Sequence, residues 1–182
     1  MAAPEIKTQP KSTSAKEGKK ATFTIKAKGK NLKYQWYVKK YGSDKWTPIK
    51  GKTSNKLTLK MVGKGDDKNQ YRCVVSNEGG SATSHAAKLT VYYKPEIITQ
   101  PKKTTVKAGK QVTFKIKAAG NGLTYQWYRR KPGGKDWVAI AGAKKASYTF
   151  KATKKLNGYS YRCRVKNKAG TTDTKAAMLK VK

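Results

Sequence analysis

Apolar and polar residues alternate with a period of two through much of this chain. Ala21-Thr22-Phe23-Thr24-Ile25-Lys26-Ala27 alternates, as do Leu32-Lys33-Tyr34-Gln35-Trp36, Tyr71-Arg72-Cys73-Val74-Val75 and Lys88-Leu89-Thr90-Val91. Period two sends one set of side chains to a buried face and the other to solvent, which predicts β-strands. Turn-forming clusters separate the runs: Glu17-Gly18-Lys19, Tyr41-Gly42-Ser43, Glu78-Gly79-Gly80, Asn121-Gly122 and Asn157-Gly158. No segment repeats at 3.6 residues. Roughly seven or eight short strands per 90 residues read as an all-β sandwich.

The chain also matches itself. Pro4-Glu5-Ile6 returns as Pro95-Glu96-Ile97, Tyr34-Gln35-Trp36-Tyr37 as Tyr125-Gln126-Trp127-Tyr128, and Trp46 as Trp137. Of the 57 positions from 4 to 60, 29 are identical to the residue 91 further on. After Lys60 the offset falls to 90, so that Tyr71-Arg72-Cys73 matches Tyr161-Arg162-Cys163. Such identity predicts two homologous domains, residues 1–93 and 94–182. The seam Tyr92-Tyr93-Lys94-Pro95 is too short for a flexible tether, and its tyrosines are expected to pad the joint.

One constellation in each half identifies the sandwich. Trp36 and Trp127 stand on a central strand, and Tyr71-Arg72-Cys73 and Tyr161-Arg162-Cys163 on a later one. This resembles the immunoglobulin fold, in which a buried Trp of strand C packs on a disulfide between strands B and F and a Tyr two before the second Cys forms the tyrosine corner. The resemblance covers nearly the whole chain twice. Trp36, Tyr71 and Cys73, with Trp127, Tyr161 and Cys163, are the signature residues it implies. Asp67 and Asn157 stand four before each corner Tyr. Where the strand B cysteine belongs, the chain has Ile25 and Ile116. The resemblance therefore implies one unpaired Cys per domain, facing an Ile, and a loss of roughly 2–5 kcal/mol per missing disulfide. The disulfide-free form resembles tandem modules of bacterial secreted and surface proteins, which implies an extracellular place. An absent disulfide would fit the cytosol equally.

Catalytic chemistry finds little support. His85 is the one histidine and reads as a surface residue. The cysteines fall on core positions, where a thiol is inert. Asp66-Asp67 is the only acidic pair, and the second domain carries Leu156-Asn157 instead, so the two domains share no carboxylate site. No Cys/His cluster has metal-ligand spacing, and no glycine-rich loop opens a helix. The chain is expected to be no enzyme and to hold no cofactor or metal. No run of about 18 apolar residues occurs, so no segment is expected to span a membrane. Met1-Ala2-Ala3-Pro4 lacks the apolar stretch of a signal peptide, and the end within the last strand favours a piece of a longer multidomain protein.

Charge changes the picture most. The 182 residues include 43 Lys or Arg and 9 Asp or Glu, a net charge of +34. Split at Tyr93, the first half has 20 bases and 6 acids, net +14, and the second 23 and 3, net +20. Such a field destabilises a compact state, so solubility explains it poorly, although scattered lysines on strand edges also prevent aggregation. Four of the five arginines lie in the second domain: Arg129, Arg130, Arg162 and Arg164. With Tyr161, Cys163 and Val165 turned inward, Arg162, Arg164 and Lys166 point out. With Trp127 inward, Tyr128 and Arg130 point out. The two strands are neighbours in this fold, so these five should form one patch, with Lys180 joining from the last strand. Outward residues recur about every 6.6–6.8 Å, close to the phosphate spacing of extended polyanions. The first-domain equivalents, Tyr37, Lys39, Arg72, Val74 and Ser76, make a weaker patch, and Lys115 and Lys117 a poorer second candidate. Tyr37 and Tyr128 would stack on sugars or bases, or else brace their strand. Trp46 and Trp137 are expected to pack at the sandwich edge.

The reading that follows is a non-enzymatic adhesion or anchoring module holding an anionic polymer: teichoic acid, acidic polysaccharide or glycosaminoglycan. A structural spacer in a larger surface protein is the alternative. Nucleic acid is a less favoured partner, because the chain lacks a groove-reading helix or an RNA-type aromatic pair.

Overall fold

A computed structural model describes all 182 residues, Met1–Lys182. The chain divides into two compact units, Met1–Tyr93 and Lys94–Lys182. The first contains β1 (Glu5–Thr8), β2 (Thr13–Lys16), β3 (Ala21–Thr24), β4 (Lys26–Lys28), β5 (Lys33–Lys39), β6 (Trp46–Pro48), β7 (Lys56–Leu59), β8 (Gln70–Asn77), β9 (Gly80–Thr83) and β10 (Ala87–Tyr92). The second repeats the order with β11 (Glu96–Thr99), β12 (Thr104–Val106), β13 (Gln111–Lys115), β14 (Lys117–Ala119), β15 (Thr124–Arg130), β16 (Val138–Ala139), β17 (Ser147–Lys151), β18 (Ser160–Asn167), β19 (Gly170–Asp173) and β20 (Ala177–Val181). A short 3-10 turn, Lys64–Asp66 or Lys154–Leu156, precedes β8 and β18.

Each unit is a two-layer sandwich. One layer of the first pairs β1 with β4 and β3 with β7, and the other runs β2-β10-β8-β5-β6 with β9 also on β8. Only the β2–β10 pairing is parallel in that unit. In the second unit β11 pairs with β14 and β13 with β17, facing the order β12-β20-β18-β15-β16. The segments outnumber the seven or eight strands expected because single strands are interrupted. Ile25 splits one run: its N–H leaves the ladder to donate to the Asn55 carbonyl at 3.0 Å, so β3 and β4 pair with different partners. Ser84 and Thr174 split another. Each hydroxyl oxygen accepts the backbone N–H of Cys73 or Cys163 at 2.9 Å, taking over the ladder bond at a break.

The cores hold the signature residues. Trp36, Cys73 and Ile25 are fully buried, as are Trp127 and Cys163, with Ile116 nearly so. Trp36 faces Cys73 across β5–β8, and Trp127 faces Cys163 across β15–β18. The indole N–H of Trp36 donates to the Ser54 carbonyl and that of Trp127 to the Lys145 carbonyl, each at 2.9 Å, so neither ring buries an unsatisfied donor. Phe23 stacks on Tyr71 with ring centres 4.8 Å apart, and Phe114 on Tyr161 at 4.9 Å. The second core adds Tyr148 and Phe150, stacked at 4.9 Å, where the first has Leu57 and Leu59. Both cysteines are free. Burial pushes each thiol up to about 11, so the reactive thiolate is suppressed at neutral pH. The Asp67 side chain accepts the Val91 N–H at 2.8 Å, and the Asn157 amide oxygen accepts the Val181 N–H at 2.9 Å. These residues serve the corner, tying the 3-10 turn to the last strand.

Candidate functional site

The register of β15 against β18 decides which outward residues meet. Tyr128 lies opposite Arg162, Gln126 opposite Arg164, and Thr124 opposite Lys166. Alternation puts Tyr128, Arg130, Arg162, Arg164 and Lys166 on the outer face of one sheet, between buried Trp127, Tyr161, Cys163 and Val165. Tyr128, Arg162 and Arg164 lie closest together. The Arg162 guanidinium sits 6.0 Å from the Tyr128 ring centre and 4.5 Å from that of Trp137. Arg164 covers Tyr128 at 5.2 Å, and Arg130 covers Trp137 at 4.8 Å. The result is a ladder, Arg130–Trp137–Arg162–Tyr128–Arg164, in which ring faces hold guanidinium planes by cation–π attraction. Trp137 stands at the edge of the sandwich as expected, yet it turns its face onto the arginines. Its proximity was hidden in the sequence because the turn 131–136 decides where it returns.

Asp173 is the residue that alternation on β15 and β18 alone misses. Strand β19 folds back on β18 with Arg164 opposite Asp173. The Arg164 Nε and Nη2 donate to the two Asp173 carboxylate oxygens at 2.8 and 2.9 Å, a bidentate pair. Arg162 Nη1 lies 3.4 Å from the same carboxylate. The Arg164 hydrogen bond lowers the Asp173 pKa against the opposing effect of burial, and Asp173 in turn raises that of Arg164. The signal was available: counting three residues back from Asn167 and three on from Gly170 across the hairpin pairs these two. The cluster of Arg130, Arg162, Arg164, Lys166 and Asp173 thus carries four positive charges and one negative, net +3. Beside it, Thr124, Gln126, Tyr128, Arg164, Lys166 and Thr171 line a shallow groove of about 560 Å³.

Lys180 lies on the same outer face beyond the Arg130 end of the ladder. Ser160 pairs with Arg130 on one side and with Met178 on the other, so Lys180 sits two residues past the level of Arg130, about 7 Å at strand rise, and two strands across. Lys115 and Lys117 are exposed at the ends of β13 and β14 in the opposite layer.

The first domain repeats the centre of the ladder. Arg72 lies 4.3 Å from the Trp46 ring centre and 6.0 Å from Tyr37, and Lys39 covers Trp46 at 5.7 Å. In both domains the central arginine Nε is buried between rings without a hydrogen-bond acceptor. Val74 and Thr83 replace Arg164 and Asp173, so this copy lacks the second arginine and the carboxylate. Tyr37 and Tyr128 therefore brace arginines. His85 is exposed, and its backbone N–H donates to the Gln9 side chain at 2.9 Å. No three His, Cys, Asp or Glu side chains gather as metal ligands, and no helix is long and apolar enough to cross a membrane.

The two cores and the corner define the class: both halves are immunoglobulin domains. A model of the immunoglobulin I-set domain matches residues 4–91, and a model of an immunoglobulin domain matches residues 94–167. The chain belongs to the immunoglobulin family as a tandem pair lacking the usual disulfide. Muscle M-line assembly protein unc-89 of Caenorhabditis elegans is 34% identical over 191 residues, covering 97% of this chain and 2% of that protein. Endoglucanase C of Cellulomonas fimi is 33% identical over 88 residues, 48% of this chain and 8% of that protein. The chain thus spans a small fraction of the length of either. The I-band fragment I67-I69 from titin superposes with a TM-score of 0.63 and 24% identity, over 100% of this chain and 66% of the fragment. Hemicentin-1 of Mus musculus is 41% identical over 64 residues, 35% of this chain and 1% of that protein. What these likenesses support is tandem immunoglobulin domains of the kind found in adhesion and structural proteins; the expected bacterial origin is not among them.

Proposed function

We propose that this chain is a non-enzymatic adhesion or anchoring module, working outside the cell or at its surface, that holds an anionic polymer on the outer face of its second domain. The observation that carries this reading is the arginine ladder on β15 and β18. Tyr128 and Trp137 fix three guanidinium groups in place before any ligand arrives, so less side-chain entropy is lost on binding. Lys166 extends the row. Sulfate, carboxylate and phosphodiester groups all suit such a row, so glycosaminoglycan, acidic polysaccharide and teichoic acid are the polymers of this chemistry. The first domain adds diffuse attraction through its net charge of +14. Binding proceeds by charge pairing with release of counterions, and needs no cofactor.

Titrating the full chain with heparin at rising salt tests this. Affinity should fall steeply along a straight log–log line. Joint replacement of Arg130, Arg162 and Arg164 by Ser should abolish most of it, with the fold checked by circular dichroism. Affinity flat with salt, or untouched in the triple variant, would overturn the reading. The second reading is a structural spacer within a longer protein. Its support is that both domains together match 2% of the length of unc-89, as a repeat pair within a much longer protein would. The spacer predicts a triple variant indistinguishable from the parent.

A further inference from the structure

A second concavity in the second domain lies away from the ladder, where β15 enters the turn before Trp137. Arg129, Lys131, Lys135, Asp136, Val138 and Tyr159 line a volume of about 370 Å³. Arg129 alternates with Arg130 and so leaves the strand on the opposite side from the stacked arginines. Its guanidinium lies 6.0 Å from the Tyr159 ring centre. Val138 is 58% exposed, an apolar side chain with nothing over it.

The repeat partner is built differently at this turn. In the first domain the Tyr41 N–H donates to the Oδ1 of fully buried Asn69 at 2.9 Å, which stitches the turn Lys40-Tyr41-Gly42-Ser43 to the start of β8. The second domain has Pro132 in place of Tyr41 and Tyr159 in place of Asn69. Proline has no N–H, so the stitch cannot form. Pro132 packs instead over Gly158, where an added Cβ would lie 2.9 Å from its Cγ, and Tyr159 forms a wall. At the same time Val38 is matched by Arg129 and Asp44 by Lys135. Arg129 and Lys135 thus add cations to a turn that lacks this tie, and Asp136, where the first domain has Lys45, adds a carboxylate.

We infer that this recess binds one acidic sugar unit, a ring bearing a carboxylate or sulfate. Arg129, Lys131 and Lys135 offer donors to the acid group. Tyr159 and Val138 offer an apolar wall to the C–H face of the ring, the mixture typical of small-ligand sites. Asp136 accepts only. A bare phosphate would be repelled by it, whereas the hydroxyls of a sugar donate to it. The site stands apart from the ladder and does not depend on it.

The test is an amide NMR titration of the full chain with chondroitin 6-sulfate disaccharide, run beside inorganic sulfate. Saturable shifts are expected at Gly134, Val138 and Tyr159, with sulfate needing at least tenfold more ligand. Arg129→Val and Lys135→Asp each install the first domain's residue, which that domain folds with, and each should weaken the disaccharide at least tenfold. The triple serine variant of the ladder should bind it as the parent does, which separates this site from the polymer site. Shifts confined to the ladder face, equal affinity for sulfate and disaccharide, or parental binding in both single variants would overturn the assignment.

Discussion

Replacing Trp137 by alanine tests whether the ladder is a mechanical unit. Trp137 holds two guanidinium groups, Arg162 at 4.5 Å and Arg130 at 4.8 Å. Cation–π contacts contribute about 0.5–1 kcal/mol each when exposed and about 2 when desolvated. The Arg162 side chain is 24% exposed, so its contact falls towards the upper part of that range. Trp137→Ala should therefore cost the second domain roughly 1.5–3 kcal/mol. Arg162→Ala alone should cost less than its contacts imply, because Arg162 keeps a buried Nε without an acceptor and truncation ends that desolvation. A double-mutant cycle over the pair should return a coupling of about 1–2 kcal/mol. Urea unfolding followed on the amides of Val165 and Leu179 reads the second domain separately from the first. Heparin affinity should fall in Trp137→Ala while the log–log salt slope stays the same, because no charge is lost. A coupling under about 0.3 kcal/mol would show that the rings merely lie near the cations and do not preorganise them.

Three further outcomes follow from the packing. Stability should decline as pH rises from about 9 to 11: the unfolded cysteines ionise near 9 while burial holds the folded thiols protonated up to about 11, so the native state binds more protons there. Cys73→Ala/Cys163→Ala should flatten that part of the pH profile, and an unchanged profile would assign the loss to other groups. Asn69→Ala removes the acceptor for the Tyr41 N–H and a fully buried amide; a loss of roughly 1–3 kcal/mol is expected for the first domain, measured by urea unfolding, with no effect on the second. Gly158→Ala meets Pro132 Cγ at 2.9 Å from a backbone at φ +79°; the second domain should lose about 1–3 kcal/mol, whereas Gly133→Ala, with open space around it at φ +68°, should lose less.

Much of this molecule is written in local pattern. Period-two alternation, the 91-residue offset and the Trp with Tyr-x-Cys constellation lead to two sandwiches because burying one face of a strand is a local requirement. The outward positions of Arg162, Arg164, Lys166, Tyr128 and Arg130 follow from the same rule. Where alternation failed, a backbone group had left the ladder, as at Ile25, whose N–H bonds to the Asn55 carbonyl.

What the tertiary structure alone decided is which outward residues touch. Trp137 reaches Arg162 only because the turn after Arg130 brings the chain back along β15, and no spacing rule specifies that return. Lys180 shares a face with the ladder, and the register of β20 on β18 places it two residues past the level of Arg130. Tyr159 stands where the first domain has Asn69, whose bond to the Tyr41 N–H has no counterpart at Pro132, between segments 27 residues apart in sequence. Composition set the charge of this protein. The pairing of strands and the path of one turn determined which of those charges stack on rings, which pair with Asp173, and which line the recess at Tyr159.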